Sequence, residues 1–476
     1  MSRTLQTLLR SAHSTLEQHT SLSSTSRVVF TVGNQAADAD SIVSSLAMSA
    51  LLAAHPNVLP VPLASCSRAA GGTKPELKQL LQECGVSVGD LVYLDDVDWA
   101  AWQALPMPPQ VVLLDHNAPE GPLAALADQV CGIIDHHVDT GACPGVTAAP
   151  AASAASWHEH ALDAAAAAVS AIATGACPTG GRAVTMNAAG DLGVGSTCTL
   201  LGHAYVQALA ASPSAAVPGL AQLLATVICL DTNSLKDGIK TTPADVTVLG
   251  ALDAAMAEGG AAAAAAGPSP GKHALSETLL SAATAARKAK FDTDFWRALS
   301  IRQALEYDLK VRTVAGGSGA APRTVAVASV LMHLPWLLRE RESQGGAQAL
   351  AQLDDFAAAH GADAVLVMSL TLSPRKARQL ALYAPAGTGQ GAGATALAAI
   401  TAPAAGLKLE ALPLSFGVAP PAEQAEEDDG DAPPPACPSL QPPAEEGALH
   451  VWQQHKLGIS RKQLLPLLEA ALAAAP

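Results

Sequence analysis

The sequence is poor in several kinds of residue, and each shortage excludes a class of protein. Only 3% of its 476 residues are aromatic, and its eight cysteines form no CxxC pair, so neither a disulfide framework nor a zinc clip is predicted. Basic residues are scarce, because 27 Lys and Arg against 42 Asp and Glu give a net charge of −15. Binding along a nucleic acid duplex needs a basic face, so we exclude it. No run of about 18 strongly apolar residues occurs, and we therefore expect no membrane span.

The beginning of the chain bears on localisation. The scattered cysteines suit a reducing compartment, and we expect the protein in the cytoplasm. The first 27 residues hold three arginines, many Ser and Thr, and one acid, a composition typical of a transit peptide, so organellar targeting stays open. Leucines at 5, 8, 9 and 16 have helical spacing. We favour a first amphipathic helix over residues 4–17.

Short apolar stretches alternate with helical patterns through the first half of the chain. This rhythm predicts an α/β fold with a doubly wound, mostly parallel sheet that is covered on both faces. Pro60 and Pro62 lie within the second stretch, which favours the edge of the sheet for that strand. The predicted strands cover residues 27–33, 58–64, 91–94, 111–114 and 131–134.

Changes in composition divide the chain into two domains. We predict a first domain over 1–260, a Gly/Ala/Pro-rich linker over 261–285, and a smaller α+β domain over 286–476. Low-complexity insertions are predicted at about 140–190 in the first domain and 384–449 in the second. For the second domain we predict a helix over 291–311, strands over 324–332, 364–372 and 379–383, and a closing helix over 461–473.

Polar side chains of the metal-ligand type follow four of the predicted strands. Carboxyl ends of neighbouring parallel strands meet in one crevice, and carboxylates that are crowded together need a cation to remain ionised. Oxygen ligands with one or two imidazoles suit Mg²⁺, Mn²⁺ or Co²⁺ better than zinc. A lone Asp at a strand end is often a helix N-cap, but several such groups together favour a metal site. The groups are Asn34–Asp40, Asp95–Asp96, Asp115–Asn117 and Asp135–His137.

Five motifs in these segments resemble, in order, the signature of the DHH phosphoesterase superfamily. The similarity is greatest to its exopolyphosphatase and prune-like branch, to which the family II inorganic pyrophosphatases are related. ISRKQLLP (459–466) and RQALEYDLK (302–310) are similar to the second domain of that branch. The five motifs are GNQAADADSIVSSLA (33–47), LLDHNAP (113–119), IIDHHVDTG (133–141), GSTCTLL (195–201) and ICLDTNSLKD (228–237).

The resemblance implies two divalent metal ions, Mg²⁺ or Mn²⁺, held by six side chains with one bridging carboxylate. The pyrophosphatases carry histidine where this chain has Asn34, and an amide oxygen is a harder ligand, which favours Mg²⁺. The implied ligands are Asn34, Asp38 and Asp115 for one ion, and Asp40, the bridging Asp115, His136 and Asp231 for the other.

The same resemblance implies catalytic and substrate-binding roles. His137, together with Asp115 and His136, belongs to the expected catalytic group, and His137 is expected beside the phosphate as a general acid or as a hydrogen-bond donor to the leaving or bridging oxygen. Asp135 and Asp139 are expected to orient the imidazoles. The residues expected at the phosphate chain are His116, Asn117, Lys310, Arg461 and Lys462.

Two smaller features of the sequence each allow two interpretations. Gly195–Thr197 either presents backbone N–H groups to an anion or caps a helix. Asp95, Asp96 and Asp98 form either a solvated edge or an outer layer of the site, and Asp245 is expected to be a cap.

The predicted function is that of a metal-dependent exopolyphosphatase, which removes terminal phosphate from linear inorganic polyphosphate or another short phosphoanhydride. An inorganic pyrophosphatase or a short-nucleotide phosphodiesterase would use the same metals with a differently sized cleft. A prune-like interaction protein with little turnover is the alternative from another class, with the acidic, Pro-rich residues 421–444 serving protein partners.

Overall fold

The protein is described from a computed structural model as two compact units, Met1–Lys290 and Phe291–Pro476. The structure describes residues 4–22, 25–148, 156–176, 179–186, 191–236, 238, 240–257, 275–316, 321–339, 346–372, 376–385, 391–402, 405–412 and 448–474.

The first unit is built on a six-stranded sheet in which every neighbouring pair of strands is parallel. Its strands are β1 (Arg27–Val32), β2 (Val58–Ala64), β3 (Val92–Tyr93), β4 (Gln110–Leu114), β5 (Val130–Val138) and β6 (Arg182–Met186). Its helices are α1 (Leu5–Glu17), α2 (Ala39–Leu52), α3 (Arg68–Gly71), α4 (Pro75–Glu83), α5 (Trp99–Gln103), α6 (Trp157–Thr174), α7 (Thr197–Ala211), α8 (Leu220–Asp231), α9 (Pro243–Met256) and α10 (Glu277–Lys290). The predicted α/β fold with a doubly wound parallel sheet is confirmed.

Both faces of this sheet are covered by apolar side chains, which explains why its strands lack polar alternation. Val29 of β1 belongs to the core on one face, with Leu46 of α2. Phe30 belongs to the core on the other face, where Trp102 of α5 packs against it edge to face at 5.3 Å between ring centroids.

The strand order, β3-β2-β1-β4-β5-β6, places a switch point between β1 and β4. The chain moves outward from β1 in one direction to β2 and β3, and in the other direction to β4 and beyond. Loops that leave β1 and β4 therefore diverge and open a crevice at their carboxyl ends, where ligands bind in open α/β sheets. Val32 is in register with Leu113, so Asn34 and Asp115 emerge side by side.

The two prolines of β2 occupy the part of the strand that has an open side. β2 lies between β1 and β3, so the predicted edge position is wrong for the strand as a whole. β3, however, pairs only with Leu63 and Ala64. The side of β2 at Pro60 and Pro62 therefore has no neighbour in the described sheet, and the missing N–H groups cost no ladder bond.

Helix α1 has the predicted amphipathic character. Its N-cap Thr4 and Thr7 form a reciprocal capping box, and Leu5 and Leu9 are buried in the core of the first unit.

Two segments predicted as irregular contain packed structure. The insertion at 140–190 includes α6 and β6; α6 lies so close to β5 that a Cβ on Gly132 would be 2.3 Å from Ile172. The predicted linker overlaps α10, whose Leu279 and Ala283 are buried in the core of the first unit. Alanine-rich composition concealed both helices, because alanine packs closely while giving little apolar periodicity. Residues 258–274 of the linker lie outside the described residues.

The second unit contains a mixed six-stranded sheet in the order β11-β12-β10-β9-β8-β7. Only β8 and β9 are parallel, and the other pairs are antiparallel. Its strands are β7 (Leu309–Val314), β8 (Arg323–Val330), β9 (Ala364–Thr371), β10 (Ala377–Ala384), β11 (Leu409–Ala411) and β12 (Ala448–Gln454). Its helices are α11 (Thr293–Ala298), α12 (Ile301–Glu306), α13 (Leu334–Arg339), α14 (Gly346–Ala359), α15 (Gly391–Thr401) and α16 (Arg461–Ala474).

Two predictions for this unit need correction. The single helix predicted over 291–311 is two short helices followed by β7, because Ser300 begins a new helix with a capping box to Gln303. The insertion predicted at 384–449 contains α15, whose Ala396 and Ile400 are buried, and β11. Residues 386–390, 403–404 and 413–447, including the acidic Pro-rich stretch, lie outside the described residues.

Two further findings concern the described residues as a whole. No helix among them is both long enough and apolar enough to cross a membrane. The six cysteines they include are free thiols.

Candidate metal centre

Four acidic or imidazole-bearing segments converge at the carboxyl edge of the parallel sheet. Asn34–Asp40 follows β1, Asp115 follows β4, Asp135–His137 ends β5, and Asp231 is the last residue of α8. The carboxylates of Asp40 and Asp115 and the ring of His136 are buried. These groups share one crevice rather than a solvated surface.

Asp115 lies at the centre, and one of its carboxylate oxygens is fixed by hydrogen bonds. Oδ2 accepts from the amide nitrogen of Asn34 at 2.6 Å and from the hydroxyl of Ser41 at 2.8 Å. The backbone N–H of Asp115 donates to the carbonyl of Ile134 at 3.1 Å, which continues the pairing of β4 with β5. Hydrogen bonds therefore fix both the backbone of Asp115 and one of its carboxylate oxygens.

The other oxygen of Asp115 faces both histidines. Oδ1 is 3.4 Å from Nε2 of His136, 3.5 Å from Nδ1 of His137, and 3.3 Å from the hydroxyl of Thr197. The two imidazole rings are perpendicular, with centroids 4.6 Å apart. One ligand atom from each of Asp115, His136 and His137 lies within 4.8 Å of the others, a spacing that can hold a metal ion.

The orientation of Asn34 differs from what ligation through its amide oxygen requires. Its Oδ1 accepts from the backbone N–H of Ala36 at 2.8 Å, and its amide nitrogen donates to Asp115. Turning the amide over would place two donors together at Ala36 and two acceptors together at Asp115, so the hydrogen bonds fix the assignment. Asn34 here orients the central carboxylate, and the predicted ligand role stays a prediction.

Asp40 is held by the beginning of α7. Its two oxygens accept from the backbone N–H groups of Thr197 at 2.9 Å and Cys198 at 2.8 Å, and from the hydroxyl of Ser196 at 2.8 Å. The helix N-terminus thus binds an internal carboxylate, and this is how the Gly195–Thr197 motif is used. The side chain also lies 4.0 Å from Nε2 of His136. Burial, followed by the charges of Asp115 and Asp38, raises the pKa of Asp40 to about 7.

Asp38 and Asp231 complete the acidic group. Asp38 caps α2 by accepting from the N–H of Ser41 at 3.0 Å, so the N-cap interpretation applies to this side chain, and its ligand role stays a prediction. Burial and the charges of Asp40 and Asp38 raise the pKa of Asp231 to about 7, although Lys240 and Lys290 oppose the shift. Oδ2 of Asp231 is buried and accepts no hydrogen bond from any described residue.

These acids fit divalent cations. Burial and neighbouring negative charges raise the pKa values of two of the carboxylates to about 7, and one carboxylate oxygen is buried without a hydrogen-bond donor among the described residues. A cation supplies both the charge and the missing contact. Oxygen donors with one or two imidazole nitrogens are the hard ligand set of Mg²⁺ or Mn²⁺.

Asp135 orients His137. One of its oxygens accepts from Nδ1 of His137 at 2.7 Å and from the His137 backbone N–H at 3.1 Å. Its other oxygen accepts from the amide of Asn117 at 2.6 Å. Burial by itself would raise the pKa of Asp135, but the charge and hydrogen bond of His137, the charge of His136 and the Asn117 bond outweigh it and hold that pKa well below its usual range. An ionised Asp135 fixes the tautomer of His137 and stabilises its protonated form.

Two residues expected at the phosphate chain, Asn117 and His116, make hydrogen bonds within the protein. Both ends of the Asn117 amide are used: the nitrogen donates to Asp135 and the Val138 carbonyl, and the oxygen accepts from the backbone and hydroxyl of Thr140. The Asn117 amide thus fixes the loop after β5, and its predicted substrate role stays a prediction. His116 is buried with Nδ1 2.9 Å from the carbonyl of Leu114, which fixes its ring against its own strand.

Four other acids, Asp95, Asp96, Asp139 and Asp245, make contacts within the protein. Asp139 pairs with Arg182 of β6, so it does not orient an imidazole as predicted. Asp96 pairs with Arg68 at 2.6 Å, and Asp95 accepts from the Arg68 backbone N–H at 3.0 Å. Asp245 is the capping-box residue of α9, as expected.

The three predicted cations of the second unit occupy different environments. Arg461 pairs with Asp308 at 2.5 Å and donates to the Asp308 carbonyl at 2.8 Å, so its guanidinium braces the start of β7. Lys462 is exposed at the first turn of α16, and Lys310 is half-buried on β7. The Ser460 and Gln463 side chains of the SRK-Q motif hydrogen-bond each other at the helix start at 2.7 Å.

Left-handed backbone is concentrated around the acids. Of eight non-glycine residues with positive φ in the described chain, five belong to the loops of this centre. Each costs on the order of 1–3 kcal/mol and persists only where the surroundings hold it, a pattern typical of functional sites. They are Ala37 (φ 44°), Asp115 (61°), Asn233 (51°), Ser234 (54°) and Leu235 (63°).

Sequence patterns missed several side chains that shape this centre. Ser41 and Thr197 lie inside recognised motifs, but nothing in their spacing showed that they contact Asp115. Lys74, whose ammonium is buried against the Ala36 carbonyl, directly precedes Pro75 at the start of α4, and none of the sequence motifs includes it. Only the strand order brings these residues beside the acids.

Comparison with known proteins agrees with this architecture. The model described as "DHH family, N-terminal domain" matches residues 28–176, and that described as "DHHA2 domain" matches residues 287–471. The chain belongs to the DHH phosphoesterase superfamily, which confirms the resemblance drawn from the motifs.

Individual relatives are distant. A Schizosaccharomyces pombe protein named "Putative exopolyphosphatase" is 33% identical over 114 residues, which make up 24% of this chain and 29% of that protein. The match thus spans less than a third of the relative's length. The crystal structure of a Methanococcus jannaschii protein named "putative family II inorganic pyrophosphatase" is 16% identical, with a TM-score of 0.48, and the match covers 93% of this chain and 99% of that one.

Proposed function

We propose that the protein is a metal-dependent hydrolase of phosphoanhydrides that removes terminal phosphate from linear inorganic polyphosphate. The observation that carries this proposal is the position of Asp115 Oδ1, within 3.5 Å of both His136 and His137 and among three further acids. Phosphoryl transfer needs little covalent chemistry from a protein, and positioned positive charge supplies most of the catalysis. The partial similarity to a protein named as an exopolyphosphatase supports this class of substrate.

The metal ligands in this proposal come from the acids and His136. When bound, two divalent ions supply Lewis acidity and lower the pKa of water so that it can act as a nucleophile at neutral pH. Asp115 would be the carboxylate ligand common to both ions, and the hydrogen bonds to its Oδ2 leave Oδ1 directed into the centre. Asp38, Asp40 and Asp231 would supply further oxygen ligands.

His137 delivers the proton in this proposal. Because Asp135 accepts the proton on Nδ1, His137 presents Nε2 to the substrate. A protonated Nε2 donates to the oxygen that leaves with the shortened chain, and the ionised Asp135 stabilises the charged ring until transfer.

Cations of the second unit bind the phosphate chain in this proposal. Lys310, Arg461 and Lys462 lie within the part of the chain that matches the DHHA2 model. A protein with a net charge of −15 must concentrate its cations locally to bind a polyanion. Arg461, which already pairs with Asp308, contributes its charge and also holds the start of β7, the strand that carries Lys310.

Phosphate release from defined substrates tests the proposal. Purified full-length protein is incubated with pyrophosphate, tripolyphosphate or long-chain polyphosphate in the presence of Mg²⁺, Mn²⁺ or Co²⁺. We expect metal-dependent release that removes one phosphate at a time from tripolyphosphate and longer chains, and slower turnover of pyrophosphate. No release from any polyphosphate with any of these metals would refute the function.

A further inference from the structure

A lysine is buried beneath the turn that carries two of the candidate ligands. Lys74 is 1% exposed and lies immediately before the first turn of α4. Its ammonium donates to the carbonyl oxygen of Ala36 at 2.8 Å. Burying an ammonium group is costly unless it makes well-aligned contacts, so a lysine at this position calls for a specific reason.

The turn from Asn34 to Asp38 is held at both polar groups of Ala36. The N–H of Ala36 donates to the Asn34 side chain at 2.8 Å, and its carbonyl accepts from Lys74. Ala37 follows with φ 44°, and its N–H donates to the Asn34 carbonyl at 2.9 Å. A left-handed alanine is strained and persists only where its neighbours fix the backbone. The charge-assisted bond from Lys74 is one of the contacts that fix it.

The two ends of this turn orient the acids. At one end, Asn34 donates to Asp115 at 2.6 Å. At the other end, Asp38 caps α2 and lies near enough to Asp40 and Asp231 to raise the pKa of both. A change in the backbone at Ala36 therefore moves an orienting group of Asp115 and a candidate ligand together.

We propose that Lys74 is a positioning residue of the metal centre: by binding the Ala36 carbonyl, it keeps the Asn34–Asp38 turn in the form that aligns Asp38 and Asp115 for metal binding. This inference rests on the proposed function only in taking the acids to bind divalent ions. Lys74 acts through the turn and does not itself contact metal or phosphate.

Metal binding to the full-length protein tests the inference without any substrate. Mn²⁺ affinity is measured by calorimetry and by the electron paramagnetic resonance signal of free Mn²⁺, for wild type, Lys74→Met and Lys74→Arg. Loss of an outer contact of a metal ligand typically weakens binding about 10–100-fold, and we expect a loss of that size for Lys74→Met. Lys74→Arg keeps the charge and the donors, so we expect its affinity to recover to within a few-fold of wild type.

Lys78→Met is the matched control. Lys78 is exposed one turn further along α4, so this variant changes the charge and the side chain identically while leaving the turn alone. We expect it to bind Mn²⁺ like wild type. Circular dichroism establishes that each variant is folded. If Lys74→Met does not fold, Lys74→Gln, which keeps a neutral donor, replaces it, and we again expect weaker Mn²⁺ binding than in wild type.

The outcomes separate this inference from the function. Wild-type affinity in Lys74→Met or in its replacement would overturn the positioning role, as would an Lys74→Arg variant that binds no better than Lys74→Met. Wild-type protein that binds Mn²⁺ but releases no phosphate would refute the proposed function and leave the Lys74 result readable. Wild-type protein that binds no Mn²⁺ would overturn both.

Discussion

Both the backbone conformation and the side-chain contacts of Asp115 limit which residue can replace it. The residue has φ 61°, a left-handed conformation that Asp and Asn tolerate better than other non-glycine residues. Its carboxylate accepts from Asn34 and Ser41 while facing two imidazoles. Alanine at this position would change both properties at once, whereas asparagine keeps the shape and the backbone preference and removes only the charge.

We therefore expect Asp115→Asn to lower phosphate release at least 100-fold and to weaken Mn²⁺ binding, with a melting temperature equal to or above that of wild type. The charge is lost from the proposed bridging position, and removing one of several crowded carboxylates relieves their repulsion. Steady-state kinetics and thermal melting of metal-free protein measure the two effects. Asp128→Asn, which alters an exposed carboxylate, is the control and should change neither. Turnover that survives Asp115→Asn would show that the metal assignment is wrong.

The stability of the metal-free protein should decrease as the pH rises. Asp40 and Asp231 have pKa values raised from 3.8 to about 7 in the folded state, so the unfolded chain loses its protons first. Stability from these groups is therefore lost progressively between about pH 4 and pH 7. The lowered pKa of Asp135 changes stability only below pH 3.8, the pKa of Asp in the unfolded chain. Asp135 therefore does not oppose the loss of stability expected between about pH 4 and pH 7.

Differential scanning fluorimetry from pH 5 to pH 8 checks this expectation. We expect the melting temperature of metal-free protein to fall by several degrees, the fall to shrink in Asp40→Asn, and saturating Mg²⁺ to reverse it. A melting temperature that rises over the same range without metal would contradict the assignment of these two acids.

At the residue scale, the positions of the acids could be predicted but their hydrogen bonds could not. The strand ends bring Asp115 and His136 to one edge because parallel strands share a direction, and that follows from sequence. The orientation of the Asn34 amide is set by the N–H of Ala36, and the oxygen of the Asn117 amide accepts a hydrogen bond from the N–H of Thr140. Such contacts depend on loop conformation, which a pattern of residue types does not determine.

At the scale of elements, the approach of α2 to β1 leaves no room beside Gly33. A Cβ on Gly33 would lie 2.5 Å from the Cβ of Ser41 and 2.8 Å from its carbonyl oxygen. The start of α2, which carries Asp40 and Ser41, would have to shift away from the strand. Gly33 is thus required by packing rather than by a left-handed backbone.

We expect Gly33→Ala to lower the free energy of unfolding by more than about 2 kcal/mol and to weaken Mn²⁺ binding, because the displaced atoms belong to the backbone and cannot rotate aside. Chemical denaturation and calorimetry measure these changes. The opposite sign is expected for Gly250→Ala within α9, where a Cβ would meet nothing within 4 Å and helix propensity rises by up to about 1 kcal/mol. If Gly33→Ala is as stable as wild type, the close contact between α2 and β1 is not as described.

The elements themselves were predictable where β-branched residues dominate and less so where alanine does. RVVFTV and QVVLL form β1 and β4 as expected. The sequence predicts an insertion and a linker where the alanine-rich α6 and α10 lie, because small side chains give a weak periodic signal even when they pack closely. The apolar pattern predicts a single helix over 291–311. In the structure, the capping residue Ser300 begins a new helix, so this segment contains two short helices.

At the scale of the whole molecule, the predicted metal ligands and the predicted phosphate-binding cations belong to different units. Each unit has its own apolar core, so each is expected to fold alone. All six predicted ligands precede residue 290. A fragment of residues 1–290 should bind Mn²⁺ within a few-fold of the full chain but release phosphate from polyphosphate at least 100-fold more slowly.

Calorimetry and phosphate assays on the fragment and on full-length protein measure this difference, with residues 291–476 as the control that should bind no Mn²⁺. A fragment of residues 1–290 that hydrolyses polyphosphate at the full rate would exclude a substrate role for the second unit. The sequence predicts a linker over 261–285, whereas the first compact unit extends to Lys290, since α10 belongs to its core.

The acids around Asp115 are contributed by stretches that begin at Asn34 and end only at Asp231. No partial fold of the first unit can assemble them, because the last carboxylate arrives at the end of α8. If these acids bind divalent ions as proposed, binding would require all of these stretches to be assembled, and by mass action a bound ion would stabilise the folded unit against unfolding. A newly made chain would then bind its ions late in folding, and the supply of divalent metal would affect the lifetime of the protein.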